Sequence, residues 1–149
     1  MSYHANKILD RLYQGGRPPP GSGLKEAGID VLVLCAKDHQ DAGAYEGIEV
    51  ILAPGDDDRR PHRLARFIDG WKEAGHMVAE RVKSGKCVLV TCMQGLNRSG
   101  IVVALAVREL TGMPGKDIVE HIQARRANAL FNETFAQYIV DSFPERQVL

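Results

Sequence analysis

One junction constrains the fold of this chain more than any other feature of its sequence: an apolar strand passes through a short loop into an apolar helix. Residues 87–91, Cys-Val-Leu-Val-Thr, have the composition of a buried strand, and residues 99–110 are apolar on nearly every side. A helix of that kind must lie in the core. The loop between them, residues 92–98, therefore joins the carboxyl end of a strand to the N-terminus of a buried helix.

The rest of the chain alternates between strand and helix patterns. Apolar runs predict further strands at residues 8–13, 30–35 and 48–52. Apolar residues at intervals of three and four predict helices at residues 62–83, 116–126 and 132–143, with a helical turn at 24–27. This alternation indicates an α/β fold, a central mixed sheet of about four or five strands with helices on both faces. The length of 149 residues predicts one domain, residues 1–149.

Charge and composition exclude several classes of partner. Nineteen basic residues balance nineteen acidic ones, so no overall positive field is available to hold nucleic acid or an anionic membrane. The sequence shows neither the continuous apolar core of a signal peptide nor an uncharged run of membrane-spanning length. Three cysteines, an odd number, do not make a disulfide scaffold. We therefore expect a cytoplasmic, monomeric protein. Because its overall charge is balanced, any recognition of phosphate must come from a local binding site.

The loop itself has the features of an anion-binding site. Its backbone N–H groups and the N-terminus of the following helix present positive potential to a ligand. A thiolate at Cys92 is stabilised in that field, which makes the sulfur a nucleophile near neutral pH. Six positions later, Arg98 offers the two parallel N–H donors that fit a phosphate. A lone cysteine is more often a buried apolar residue, but this spacing favours catalysis.

These residues also carry a family resemblance. Residues 92–99, Cys-Met-Gln-Gly-Leu-Asn-Arg-Ser, resemble the C-x5-R-S/T signature of the protein tyrosine phosphatase superfamily. Residues 12–15 and 27–32 are similar to early segments of its dual-specificity branch, and Asn132 and Phe135 are similar to that branch's C-terminal region. The resemblance implies a single-domain protein tyrosine phosphatase-like fold. It also implies hydrolysis of phosphotyrosine in proteins, with phosphoserine and phosphothreonine as further substrates.

The same resemblance implies a role for each residue of the loop. Cys92 attacks phosphorus and forms a cysteinyl-phosphate intermediate, Arg98 clamps the phosphate, and Ser99 hydrogen-bonds the sulfur. The residues between Cys92 and Arg98 bind the phosphate together with Arg98. They are Met93, Gln94, Gly95, Leu96 and Asn97. This chemistry requires no metal ion and no cofactor.

The leaving oxygen needs a proton donor, and three consecutive carboxylates at residues 56–58 are the candidates. They follow a predicted strand and lie in a segment too highly charged for the core. The spacing from Pro54 that is usual in the family selects Asp57, with Asp56 as the second choice. Clustered negative charges favour the protonated form that a general acid requires.

The residue before Cys92 differs from the family pattern. Relatives usually have histidine before the nucleophile, whereas this chain has Thr91. Threonine cannot provide an imidazole, so we expect a less stabilised thiolate at Cys92 and slower turnover.

Some relatives pair a cysteine at the end of the strand that corresponds to residues 30–35 with the nucleophile. Cys35 and Cys87 are more often buried thiols in such places, but the resemblance implies that Cys35 could form a protective disulfide with Cys92.

Other functions stay open at this point. A phosphate-binding pseudophosphatase is one alternative, favoured only by Thr91, and a phosphatase for RNA 5′ ends or another small phosphoester is a second. The uncharged side chains between Cys92 and Arg98 disfavour a phosphoinositide substrate. Elsewhere, Trp71 is predicted to be core and Arg125-Arg126 to form a solvated helix face.

Overall fold

A computed structural model describes residues 4–36 and 41–145, and it contains a five-stranded sheet of order β1-β2-β5-β3-β4. β1 and β2 are antiparallel, whereas β2, β5, β3 and β4 run parallel to their neighbours. The strands are β1 Ala5–Leu9, β2 Leu12–Gly15, β3 Val31–Ala36, β4 Glu49–Gly55 and β5 Val88–Thr91. The predicted mixed sheet is therefore confirmed.

Five α-helices accompany the sheet in the described part of the chain. They are α1 Gly23–Glu26, α2 Pro61–Lys83, α3 Arg98–Thr111, α4 Gly115–Arg125 and α5 Glu133–Ser142, with a short 3-10 helix at Ala42–Ala44. Each long helix lies within about two residues of its predicted position, the usual uncertainty of helix ends. None of the described helices has the length and apolarity needed to cross a membrane.

Helices cover both faces of the sheet, but unequally. One face packs against the four long helices, and α3 is the most deeply buried of them, because Ile101 and Val107 are both fully enclosed. The other face is smaller and is covered by Leu24 of α1 and by Tyr45, which pack on Leu32 and Leu89 of the sheet. The apolar character of α3 on all sides reflects its central position.

Trp71 of α2 fixes the end of β4 from which the acidic loop emerges. The indole is fully buried, as predicted, and its Nε1–H donates to Ala53 O at 2.9 Å. Its ring and that of Phe135 in α5 form a T-shaped pair with a centroid distance of 5.3 Å. A Cβ at Gly55 would lie 2.1 Å from the indole, so only glycine allows this close approach. The start of the loop that carries residues 56–58 is thus held by the core.

The prediction of one strand at residues 8–13 is wrong, because the chain turns back between Leu9 and Leu12. Arg11 has a positive φ of 61°, which reverses the backbone direction and pairs β1 with β2 as a hairpin. The apolar run hid this turn, since neither Asp10 nor Arg11 is a glycine or a proline. The reversal places Gln14 of β2 beside Val90 of β5.

Candidate active site

The four parallel strands end at one edge of the sheet, and the site lies there. Residues 92–98 follow β5 at this edge, and the loop after β4 reaches the same place. Together they form a cavity of ≈ 260 Å³. Its lining residues are Asp57, Cys92, Met93, Gln94, Leu96, Asn97 and Arg98. Of the predicted site residues, Gly95 and Ser99 are not among these lining residues; Gly95 belongs to the loop itself, and Ser99 is the residue after it, in the first turn of α3.

Four successive carbonyl groups of the loop accept hydrogen bonds from groups outside it. The pairs are Met93 O with Arg17 N (3.2 Å), Gln94 O with Arg126 Nη2 (3.0 Å), Gly95 O with Arg126 Nε (2.7 Å) and Gln14 Nε2 (2.9 Å), and Leu96 O with Leu130 N (3.0 Å). In a planar trans peptide the N–H is opposed to the C=O. The N–H groups of residues 94–97 therefore face the inside of the loop, as an anion site requires.

Gln14 and Ser99 set the environment of the Cys92 sulfur. Gln14 Nε2 donates to Ser99 Oγ at 3.2 Å, and Ser99 Oγ lies 3.3 Å from Cys92 Sγ. Because Gln14 occupies an acceptor position of the hydroxyl, the hydroxyl hydrogen is available to the sulfur. Ser99 can thus donate to an ionised Cys92, the arrangement that stabilises a thiolate.

Arg98 extends from the first turn of α3 into the cavity. Its Nη1 donates to Gly55 O at 3.3 Å, which ties the guanidinium to the end of β4. Its Nε is buried and has no hydrogen-bond partner among the described residues. A buried N–H donor without a partner is costly, and an oxyanion in the cavity would satisfy it.

The three carboxylates at residues 56–58 have different partners. Asp56 forms an ion pair with Arg63, and Asp58 with Arg60. The hydrogen bonds from Arg60 hold the pKa of Asp58 well below its usual range. Asp57 alone among the three lines the cavity, and it has no arginine partner among the described residues. The structure thus places Asp57, the carboxylate selected from the sequence, in the same cavity as Cys92 and Arg98.

Two asparagines orient Asp57. Asn97 Nδ2 donates to Asp57 Oδ2 at 2.9 Å, and Asn132 Nδ2 donates to Oδ1 at 2.8 Å. Asn132 is also the N-cap of α5, where its Oδ1 accepts from the N–H groups of Thr134 and Phe135. The loop that carries residues 56–58 is therefore joined, through Asp57, both to residues 92–98 and to α5.

Thr91 and Cys35 lie next to Cys92. Thr91 Oγ1 donates to Val33 O at 2.9 Å, so the residue in the usual histidine position ties β5 to β3. Leu34 pairs with Thr91 in the parallel ladder, and the following residues, Cys35 and Cys92, therefore lie side by side. Both are free thiols. Burial, and then the charge of Cys92, raises the pKa of Cys35 well above its usual value.

Sequence reasoning missed two residues that contact the loop of residues 92–98, Gln14 and Arg126, and it misjudged the exposure of Arg126. Gln14 gave only a weak signal, a polar side chain inside an apolar strand. Arg126 was predicted to be solvated, but it is 7% exposed and binds two carbonyl groups of the loop. Arg125 is exposed, as predicted. The error arose because α4 ends at Arg125, so Arg126 leaves the helix face and turns inward.

Comparisons with known proteins assign the family. No protein-family model matches the chain. It is 33% identical to the mouse (Mus musculus) protein tyrosine phosphatase type IVA 2 over 127 residues, 84% of this chain and 73% of the relative. It is 27% identical over 136 residues to the rat (Rattus norvegicus) dual specificity protein phosphatase 12, covering 89% of this chain and 39% of that protein.

A solved structure agrees at the level of the fold. The crystal structure of Tk-PTP in the G95A mutant form superposes with a TM-score of 0.74 at 23% identity, covering 93% of this chain and 95% of that one. The fold is therefore that of the cysteine-based tyrosine phosphatases. The chain belongs to the dual-specificity phosphatases of the protein tyrosine phosphatase superfamily, which are cysteine-dependent enzymes.

Proposed function

We propose that this protein hydrolyses phosphotyrosine, and also phosphoserine and phosphothreonine, in protein substrates through a cysteinyl-phosphate intermediate. The observation that carries the proposal is the Nε–H of Arg98, which has no hydrogen-bond partner in the described part of the chain and lies beside a cavity that Cys92 also lines. The backbone N–H groups of residues 94–97 face the same space. A phosphate dianion would satisfy all of these donors while its phosphorus atom lies against the sulfur.

In the first step the Cys92 thiolate attacks phosphorus and forms the S–P bond as the bond to the leaving oxygen breaks. Asp57 gives its proton to that oxygen, so the product leaves as a neutral alcohol or phenol. Arg98 and the loop N–H groups hold the other three phosphate oxygens throughout. The orientation of Asp57 by Asn97 and Asn132 supports this assignment.

In the second step water attacks the phosphocysteine. Asp57, now a carboxylate, accepts a proton from the water, and the S–P bond breaks with its electron pair returning to sulfur. Inorganic phosphate is released. The Ser99 hydroxyl, 3.3 Å from Cys92 Sγ, stabilises the departing thiolate by donating to it.

The side chains around the cavity favour a singly phosphorylated protein. Among the described residues that line it, Arg98 is the only cation, and Asp57 adds a negative charge. A polyphosphate or phosphoinositide would lack partners for its additional charges. Two of the large apolar residues that are exposed lie on or beside the loop: Met93 (38% exposed), and Phe131 (47%), which sits between Leu130 and Asn132. Exposed apolar side chains near the cavity suit a peptide.

We further propose that residues 1–149 form one catalytic domain, monomeric and cytoplasmic, acting without metal, cofactor, nucleic acid or membrane. The three free thiols, Cys35, Cys87 and Cys92, support a reducing compartment. The balanced charge supports the absence of a nucleic-acid or membrane partner.

Activity on a substrate panel tests the proposal. The panel contains p-nitrophenyl phosphate, phosphotyrosyl and phosphothreonyl peptides, a 5′-triphosphorylated RNA and a phosphoinositide. We expect turnover of the aryl phosphate and the phosphopeptides, and loss of all turnover with Cys92→Ser. Phosphopeptide binding without turnover would indicate a pseudophosphatase, and preference for the RNA would identify the other alternative. Turnover retained by Cys92→Ser would refute the mechanism.

A further inference from the structure

Arg126 is a buried cation behind the loop, at the C-terminal end of α4. Its guanidinium makes four hydrogen bonds, to Gly95 O (2.7 Å), Gln94 O (3.0 Å), His4 O (2.7 Å) and Asn6 Oδ1 (2.8 Å). All four acceptors are neutral. No carboxylate of the described residues forms an ion pair with it.

A buried arginine with only neutral partners is unusual, because buried charges are normally paired. Burial lowers the pKa of Arg126, and the negative charge of the Cys92 thiolate opposes that effect. Arginine nevertheless stays protonated in proteins. Its charge is therefore permanent and is screened by little water, so it interacts with the Cys92 thiolate.

The two carbonyl contacts give Arg126 a second effect. By holding Gln94 O and Gly95 O outward, it turns the N–H groups of residues 95 and 96 toward the cavity. The charge and the orientation act in the same direction, since both favour negative charge at Cys92. In relatives a histidine precedes the nucleophile. Here the corresponding residue is Thr91, whose hydroxyl donates to Val33 O and carries no charge.

We propose that Arg126 is a positioning residue that stabilises the Cys92 thiolate from behind the loop and supplies the positive charge that Thr91 cannot. The inference rests on the proposed function only in taking Cys92 as the nucleophile. The other charged or titratable groups that face Cys92 from the described elements are Arg98 of α3, Asp57 of the loop after β4, and Cys35 of β3. The variants below leave all three in place.

Alkylation of Cys92 by iodoacetamide, followed against pH by mass spectrometry of the Cys92 peptide, measures the thiolate directly and without turnover. Arg126→Met is expected to move the midpoint upward by about one pH unit. Arg126→Lys, which keeps the charge, should restore most of the difference. The matched control is Arg125→Met, because Arg125 is the exposed neighbour and donates to His121 O, away from the loop. The control should leave the midpoint unchanged.

A second variant separates charge from structure and does not remove a buried side chain. Asn6→Asp places a carboxylate at the position that lies 2.8 Å from Arg126 Nη1, which strengthens the hydrogen bond but neutralises the field. We expect the alkylation midpoint to rise in this variant although the fold is retained. A merely structural Arg126 would leave that midpoint unchanged, and such a result in folded Asn6→Asp would overturn the inference. Failure of the proposed function would appear separately, as wild-type protein that alkylates normally and hydrolyses nothing.

Discussion

Asn132 donates a hydrogen bond from Nδ2 to Asp57 Oδ1 at 2.8 Å, across 75 positions of the sequence. Asn97, which lies on the loop beside Arg98, holds the other carboxylate oxygen. The proposed acid is therefore fixed relative to the loop of residues 92–98 in the structure itself. Catalysis by a general acid depends on this relative position, since small misplacements of a reacting group cost large factors in rate.

Replacing the proposed acid should slow the first chemical step. We expect Asp57→Asn to lower kcat by about 100- to 10,000-fold, because its amide cannot give a proton to the leaving oxygen. The loss should be greatest for phosphopeptides and smaller for p-nitrophenyl phosphate, whose leaving group needs little protonation. Asp56→Asn is the comparison, and its kcat should stay near the wild-type value. An equal loss in both variants would argue against Asp57 as the acid.

Asn132 has two functions, and one substitution separates them. Asn132→Ser keeps a side-chain oxygen for the N-cap of α5 but removes the donor to Asp57. We expect a midpoint of urea unfolding close to that of the wild type, together with a fall in kcat of roughly tenfold or more. Asn132→Ala should lower kcat similarly and also cost about 1 kcal/mol of stability. Full activity in the serine variant would show that the contact is not needed.

Cys35 should protect Cys92 from irreversible oxidation. Peroxide converts the Cys92 thiolate to a sulfenic acid, and the Cys35 thiolate can attack that sulfur, forming the S–S bond and releasing hydroxide. Burial raises the pKa of Cys35, so its thiolate is scarce at neutral pH and the disulfide should form faster as pH rises. Mass spectrometry of peroxide-treated protein should find a Cys35–Cys92 linkage, and sulfinic Cys92 in Cys35→Ser. Sulfinic Cys92 alone in the wild type would contradict this.

His76 of α2, which contacts Glu109 of α3, should make stability weakly dependent on pH. The hydrogen bond to Glu109 raises the pKa of His76, and Glu80 adds to that effect. The stabilisation by this contact should therefore be complete below 6.5, the pKa of the histidine in the unfolded chain. It should disappear as the pH rises through the higher pKa of the folded state. Melting temperatures of wild type and His76→Gln should differ at about pH 6 and converge at alkaline pH. The effect should be small and salt-sensitive, because the pair is exposed.

His62→Gln serves as the control for this comparison, since His62 is an exposed histidine of the same helix and has no ion pair among the described residues. Its melting temperature should follow that of the wild type at every pH. A difference between wild type and His76→Gln that grows with pH would contradict the expected direction.

Local patterns were sufficient for most of the fold. The long helices follow from apolar residues at intervals of three and four, and the strands β3, β4 and β5 follow from continuous apolar runs. Neighbouring residues alone fix both patterns. The hairpin of β1 and β2 did not follow, because a turn through Arg11 with positive φ leaves no mark in a run of apolar residues.

The sequence by itself determined the loop from Cys92 to Arg98, because the cysteine, the arginine, the strand before them and the helix after them are contiguous. Only the tertiary structure decided which distant polar groups complete it. Gln14, Arg126 and Asn132 reach the site across 31 to 85 positions, and a polar side chain looks the same in sequence whether solvent or a distant carbonyl receives its hydrogen bonds. That choice depends on how the chain packs, which no local repeat records.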